Sequence, residues 1–223
     1  MELHGEVFST LKNSARCLGN YPMQLPIAHV LSSIFASQSK MPTTADGHSP
    51  TWCPPSSTSN RPVTVLGAGD RARRIACPWA SAGYDVNIQD RDGDRCDAAL
   101  RHIHINASSF AEQLGRKSSR VGKCRGLTDP ARAASHSWLV IEARQGPREM
   151  EVDTLSEIDS VSLTDCILAS ASSFSKSNPI FSMTIMRRRS RTCCIRYSPF
   201  PSSRAVELLP SHEADPALLP VPC

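Results

Sequence analysis

Apolar positions along this chain switch between strand-like and helix-like spacing, and the switches define its elements. Val63 to Leu66 is a short β-branched run that stops abruptly at Gly67-Ala68-Gly69. Apolar residues then recur at Ala72, Ile75, Ala76 and Trp79, the i, i+3, i+4, i+7 spacing of a helix face. Gly83 stands where a helix C-terminal glycine is expected, and Val86 and Ile88 alternate as a second strand leading to Asp90. Ala98, Ala99, Ile103 and Phe110 predict a helix towards Leu114, joined by a basic connection over 116–126 to the unbroken run Trp138-Leu-Val-Ile-Glu-Ala143, which reads as a buried parallel strand. A helix through Met150, Leu155 and Ile158 precedes a last strand, Cys166-Ile-Leu-Ala-Ser170. Strands separated by helices make a parallel α/β sheet, whose ligands lie at the carboxyl ends of the strands. Gly67, Asp90, Ala143 and Ser170 all fall at or just after such ends.

The flanks carry weaker patterns. Residues 1–58 read as a disordered, low-complexity extension and linker, with an apolar helix around Ile27 to Phe35 and a Ser, Thr and Pro-rich stretch from Ser39 to Asn60. Glu2 and Glu6 argue against a transit peptide. Residues 59–173 form the expected domain, a Rossmann-like α/β fold with its parallel sheet flanked by helices. Residues 174–223 read as its poorly structured, degenerate remainder. Within them Met186-Arg-Arg-Arg-Ser-Arg-Thr-Cys-Cys-Ile-Arg196 has neither period. Such a basic cluster is either a nuclear or nucleic-acid signal or a solvated charged segment. The absence of an aromatic stacking platform favours the solvated segment.

The stretch from Pro62 to Asp90 is a complete dinucleotide-binding device. Gly67 lets the chain reverse out of the strand, and Gly69 lacks the Cβ that would hold a pyrophosphate away from the backbone. Ala72, in place of the third glycine, still permits close helix–strand packing, so the pattern is G-x-G-x-x-A. The helix N-terminus offers free N–H groups and a partial positive charge to phosphates. Asp90 can accept from the adenosine ribose hydroxyls and would repel a 2′-phosphate, which selects NAD over NADP. Expected cofactor contacts are therefore Gly67, Ala68, Gly69, Asp70, Arg71, Ala72, Asp90, Ala143 and Ser170. Asp70 sets a carboxylate beside the phosphates, which Arg71 would offset. Pro78, inside the first helix, costs about 3 kcal/mol in a helix interior.

Composition removes several alternatives. A net charge of +4 on 223 residues creates no field that demands nucleic acid, and no apolar run reaches the length of a membrane span. Nine cysteines, odd in number and without a C-x-x-C pair, predict reduced thiols in an intracellular protein, with a cytoplasmic location expected and a mitochondrial one left open. Aromatics at 5% and seventeen prolines predict an unstructured portion. Asp90, Asp92 and Asp94 fail as a calcium loop, because Arg95 and Arg101 stand where glycine and glutamate are needed, and they fit a helix start instead. His102 and His104 face different ways on their helix, so no metal site is expected.

Val65-Leu-Gly-Ala-Gly69 with Arg74-Ile-Ala76, Gly83-Tyr-Asp-Val86 with Asp90, Trp138-Leu-Val-Ile-Glu-Ala143, Ile167-Leu-Ala-Ser170 with Ser172-Ser173, and Val206-Glu-Leu208 together resemble the NAD-binding domain of the 3-hydroxyacyl-CoA dehydrogenases, in the branch that contains lambda-crystallin-like proteins. The resemblance implies oxidation of 3-hydroxyacyl-CoA by NAD in fatty acid metabolism, an acyl-CoA substrate, and a His–Glu pair that removes the hydroxyl proton. It places the carboxylate at Glu207 and a substrate-contacting hydroxyl at Ser172. The histidine position, eleven residues earlier, holds Arg196, which cannot act as a base. Neither His136 nor His212 is a substitute. After Ala143 the family's Val-Pro-Glu-like turn is replaced by Arg144-Gln-Gly146. The family's helical C-terminal domain, which closes the cleft and forms the dimer, is expected to be absent. Weak or absent turnover follows, and the alternatives are a non-catalytic NAD-binding or interaction protein and a fragmentary or mis-spliced dehydrogenase.

Overall fold

The computed structural model describes residues 23–26, 52–53, 55, 57–58, 60–113, 120–171, 186–197, 205–211, 213–215 and 218, without the side chains of 23–26, 113, 148 and 205–207. Their centre is one eight-stranded sheet. In chain order the elements are β1 (Met23–Pro26), β2 (Val63–Leu66), α1 (Asp70–Ser81), β3 (Val86–Gln89), α2 (Gly93–Gln113), β4 (Cys124–Leu127), α3 (Pro130–Ala134), β5 (Leu139–Glu142), α4 (Arg148–Val161), β6 (Ile167–Ser170), a 3-10 turn (Arg189–Arg191), β7 (Thr192–Tyr197) and β8 (Ala205–Pro210). Across the sheet the strands lie β1-β8-β7-β6-β5-β2-β3-β4. From β4 to β7 all neighbours are parallel, while β8 and β1 add antiparallel strands at one end. Numbered from the glycine turn, the parallel part is the 3-2-1-4-5-6 order of a doubly wound dinucleotide fold, whose strand order reverses between β2 and β5.

Helices cover both faces. On one, α1 and α2 pack Ile75, Ala76, Trp79, Ala99 and Ile103 against Val63, Val65, Val86 and Ile88. Trp79 and Trp138 meet edge to face at 5.6 Å, and Tyr84 completes an aromatic trio. On the other face Leu155 and Ile158 of α4 pack with Leu66, Val140, Leu168 and Met186. This double cover explains why Thr64 and Asn87 are buried although they alternate with apolar neighbours. Thr64 Oγ1 and Asn87 Nδ2 both donate to the carbonyl of Ala133 in α3, at 2.7 and 3.0 Å.

Several expectations are corrected here. The connection over 116–126 ends in β4, and the short α3 follows it. The basic segment contains β7, a buried strand. Arg191, at its start, is neither solvated nor a nucleic-acid contact. It is fully buried and donates to Asp159 Oδ1 at 2.6 Å, Ser162 Oγ at 2.9 Å and the carbonyls of Asp159, Leu163 and Cys166. Within 1–58, β1 pairs with β8, and Trp52 is buried in the core with its N–H on Asp215 Oδ2 at 3.1 Å. The helix expected over 27–35 lies outside the described residues. Pro78 does not stop α1, which continues one further turn to Ser81 before Gly83 ends it with φ +93°.

Candidate functional site

Sheet register assembles the site. Gln89, Leu66, Glu142 and Ser170, the last residues of β3, β2, β5 and β6, stand in one row across the sheet, and Cys194 of β7 continues it. The residues just beyond that row, Asp90, Gly67, Ala143 and Ala171, therefore rim the carboxyl edge, on either side of the strand-order reversal.

Each part of the glycine turn has a structural reason. Gly67 adopts φ +112°, and its N–H donates to Gln89 O at 2.6 Å. A Cβ there would lie 2.9 Å from Arg144 Cγ. Gly69 has an ordinary φ of −71° and caps α1 with no side chain. A Cβ on it would meet only Arg95 Nη2, at 3.7 Å, so the space above the helix start is open. Ala68 and Ala72 are fully buried, and the small Ala72 lets α1 lie close on β2. Asp90 Oδ2 accepts from the Ala68 N–H at 3.1 Å, which ties the acid to the turn, and Oδ1 accepts from the Asp92 N–H. Asp92 then caps α2 by accepting from the Asp94 N–H at 2.9 Å. This is the helix-start role expected of these acids. Asp70 is exposed and pairs with Arg74 at 3.0 Å, so Arg74 supplies the compensation expected of Arg71. Arg71 is half-buried in the first turn of α1.

On the far side of the reversal lies a carboxyl pair that the sequence does not announce. Glu142 is fully buried, and its Oε1 accepts from the Arg144 backbone N–H at 2.9 Å and from Arg144 Nε at 3.2 Å. Burial first, and then the neighbouring carboxyl of Glu151 on α4, raises its pKa to about 8. At neutral pH this shift favours the protonated form of Glu142. Ser170 Oγ donates to Glu151 Oε1 at 3.0 Å, so the hydroxyl expected to touch cofactor is turned to α4. Cys194 is buried beside them, its thiol pushed up to about 12 by desolvation and then by Glu151, which makes it a poor nucleophile. Desolvation likewise pushes up the buried thiols of Cys77, to about 11, and Cys166, to about 12, and the half-buried thiol of Cys124, to about 11.

Farther out on β7, Arg196 stands directly opposite Glu207 of β8 in the antiparallel register. The two positions that the resemblance assigns to base and carboxylate are thus cross-strand partners, with an exposed guanidinium at the first. Ser172 lies outside the described residues. Among the described residues no group of His, Cys, Asp and Glu could hold a metal ion, and no helix is long and apolar enough to cross a membrane. A cavity of about 300 Å³ between α2 and β4, lined by Ile103, His104, Val121 and Cys124 among others, opens at the amino end of β4, away from this edge.

The fold and the turn together define a dinucleotide-binding α/β domain. A profile of the 3-hydroxyacyl-CoA dehydrogenase NAD-binding domain matches residues 62–220, and the chain belongs to that family, with NAD as the cofactor of the domain. Among curated proteins none matches the chain in sequence. Similar solved structures include a diketoreductase (22% identity, TM-score 0.60, covering 71% of this chain and 57% of that one). FadB2 of M. tuberculosis is 25% identical with TM-score 0.59, covering 71% and 56%. The (S)-3-hydroxybutyryl-CoA dehydrogenase PaaH1 of Ralstonia eutropha is 20% identical with TM-score 0.57, over the same shares. The chain thus spans little more than half the length of each.

The residues present fit a dinucleotide. The uncapped start of α1, the open space at Gly69 and the carboxylate at the end of β3 are what a diphosphate and a ribose require. The sequence marks Arg144 and Glu151 only as departures from the family's turn and Arg95 only as a residue that breaks a calcium loop, and gives none of them a part in the site.

Proposed function

We propose that this chain is the cofactor-binding part of a dehydrogenase that acts on 3-hydroxyacyl-CoA in fatty acid metabolism, and that on its own it turns over weakly or not at all. NAD, when bound, supplies the hydride acceptor. In this reading the α1 N-terminus and the Gly67–Gly69 backbone receive the diphosphate, with Asp70, Arg71 and Ala72 in the adjoining turn. Asp90 accepts from the ribose hydroxyls, and Ala143 and Ser170 border the nicotinamide end. Glu207 and Ser172 are the proposed substrate-side residues. The cytoplasm is the compartment we propose, on the number and spacing of the cysteines.

The observation that supports low turnover is Arg196 opposite Glu207. A guanidinium stays protonated at any working pH and cannot take the hydroxyl proton that hydride transfer leaves behind. That same observation favours a second reading, a non-catalytic NAD-binding protein. Following NADH oxidation with acetoacetyl-CoA tests the proposal, with no rate above background expected. A steady rate that Glu207→Gln abolishes would show an intact base and overturn it.

A further inference from the structure

Two arginines flank the glycine turn, and neither role is accounted for by the fold. Arg95, in the first turn of α2, reaches back so that its Nη2 lies 3.7 Å from where a Cβ on Gly69 would be. Its pairing with Asp90 Oδ2 is loose, 3.7 Å with 57% of the side chain exposed. So long a pair, with the arginine largely in solvent, holds the guanidinium weakly. Arg144 comes from the opposite side, just after β5. Its stem crosses the turn beside Gly67, its Nε is held by Glu142, and its buried Nη2 has no acceptor among the described residues. A buried N–H without an acceptor is costly, so its presence points to a partner that arrives from outside the chain.

We infer that Arg95 and Arg144 form a clamp on the diphosphate of the dinucleotide, one guanidinium on each side of the Gly67–Gly69 turn. The inference rests on the dinucleotide reading and names the side chains that deliver charge to it. A diphosphate carries two negative charges, whereas the end of a helix offers only about half a positive one. The acids nearby do not cancel the clamp. Asp70 is engaged by Arg74, Asp90 is tied to the Ala68 N–H, and burial biases Glu142 towards its neutral form. Glu142 has a further part, since through Arg144 Nε it fixes the stem on which the second guanidinium is carried.

The test compares NADH binding, read by quenching of tryptophan emission, in the full chain and in Arg95→Gln, Arg144→Met and Arg125→Gln. Arg125 is an exposed residue of the edge strand β4 and controls for net charge. Loss of either clamp residue removes a charge-assisted hydrogen bond and should weaken binding about tenfold or more, whereas Arg125→Gln should change nothing. Added salt should weaken the wild type more steeply than either variant. Arg144→Lys keeps the charge without the planar fork and should fall between wild type and Arg144→Met, and thermal melting of the ligand-free proteins confirms that each is folded. Wild-type affinity in a folded Arg95→Gln or Arg144→Met, or an equal loss in Arg125→Gln, would overturn the clamp while leaving the dinucleotide site intact. A wild type that does not bind NADH would overturn the dinucleotide reading, and the clamp with it.

Discussion

Gly67 is the residue on which the turn depends most. Its φ of +112° is strained for any side chain, and a Cβ would press on Arg144. Gly67→Ala is therefore expected to destabilise the fold by roughly 1–3 kcal/mol in urea unfolding, whereas Gly69→Ala, with ordinary φ and open space, should leave stability unchanged and act on cofactor affinity alone. Glu142 makes a second prediction at this scale. Its folded pKa lies near 8, above the ordinary carboxylate value, so the folded state binds a proton that the unfolded chain has released. Stability from this group is complete below the usual carboxylate range and is lost as pH rises through about 8. Glu142→Gln mimics the protonated acid, with an N–H for Glu151 and an oxygen for Arg144, and should flatten the decline in unfolding free energy between pH 5 and pH 8. An unchanged slope in Glu142→Gln would show that Glu142 is ionised throughout. The sequence shows Gly67, Gly69 and Asp90 because local spacing defines them. It hides the raised pKa of Glu142, which comes first from burial and then from Glu151, nine residues on and brought across by α4.

Among the elements, those with an uninterrupted period were legible. The helix face at Ala72, Ile75, Ala76 and Trp79 became α1, and the runs over 138–143 and 166–170 became β5 and β6, each within a residue or two. β7 escaped because Thr192-Cys-Cys-Ile195 is buried on both faces and shows no alternation, and the arginines around it read as a solvated segment. β4 escaped for the opposite reason, since an edge strand half exposed to solvent carries Arg125 and Gly126 in its middle. The Arg191 guanidinium ties the residues just before β7 to the end of α4. Removing Asp159 leaves a buried guanidinium without its counter-ion, so Asp159→Ala should cost about 3–5 kcal/mol in chemical denaturation. Loss of less than 1 kcal/mol would mean that the backbone carbonyls suffice to hold Arg191.

For the molecule as a whole, the order of strands decides more than any one side chain. A parallel sheet that reverses its winding between β2 and β5 opens a crevice at its carboxyl edge, and the glycine turn, Asp90 and Ala143 line that edge because register leaves them nowhere else. The same register sets Arg196 across from Glu207. The central claim is that this crevice binds NAD, and Trp79 and Trp138, packed together under the sheet, give it an intrinsic reporter. Titrating the protein with NADH while exciting the tryptophans should give saturable quenching with energy transfer to the nicotinamide, competed by NAD. No saturable signal at millimolar NADH, from protein shown by circular dichroism to be folded, would contradict it.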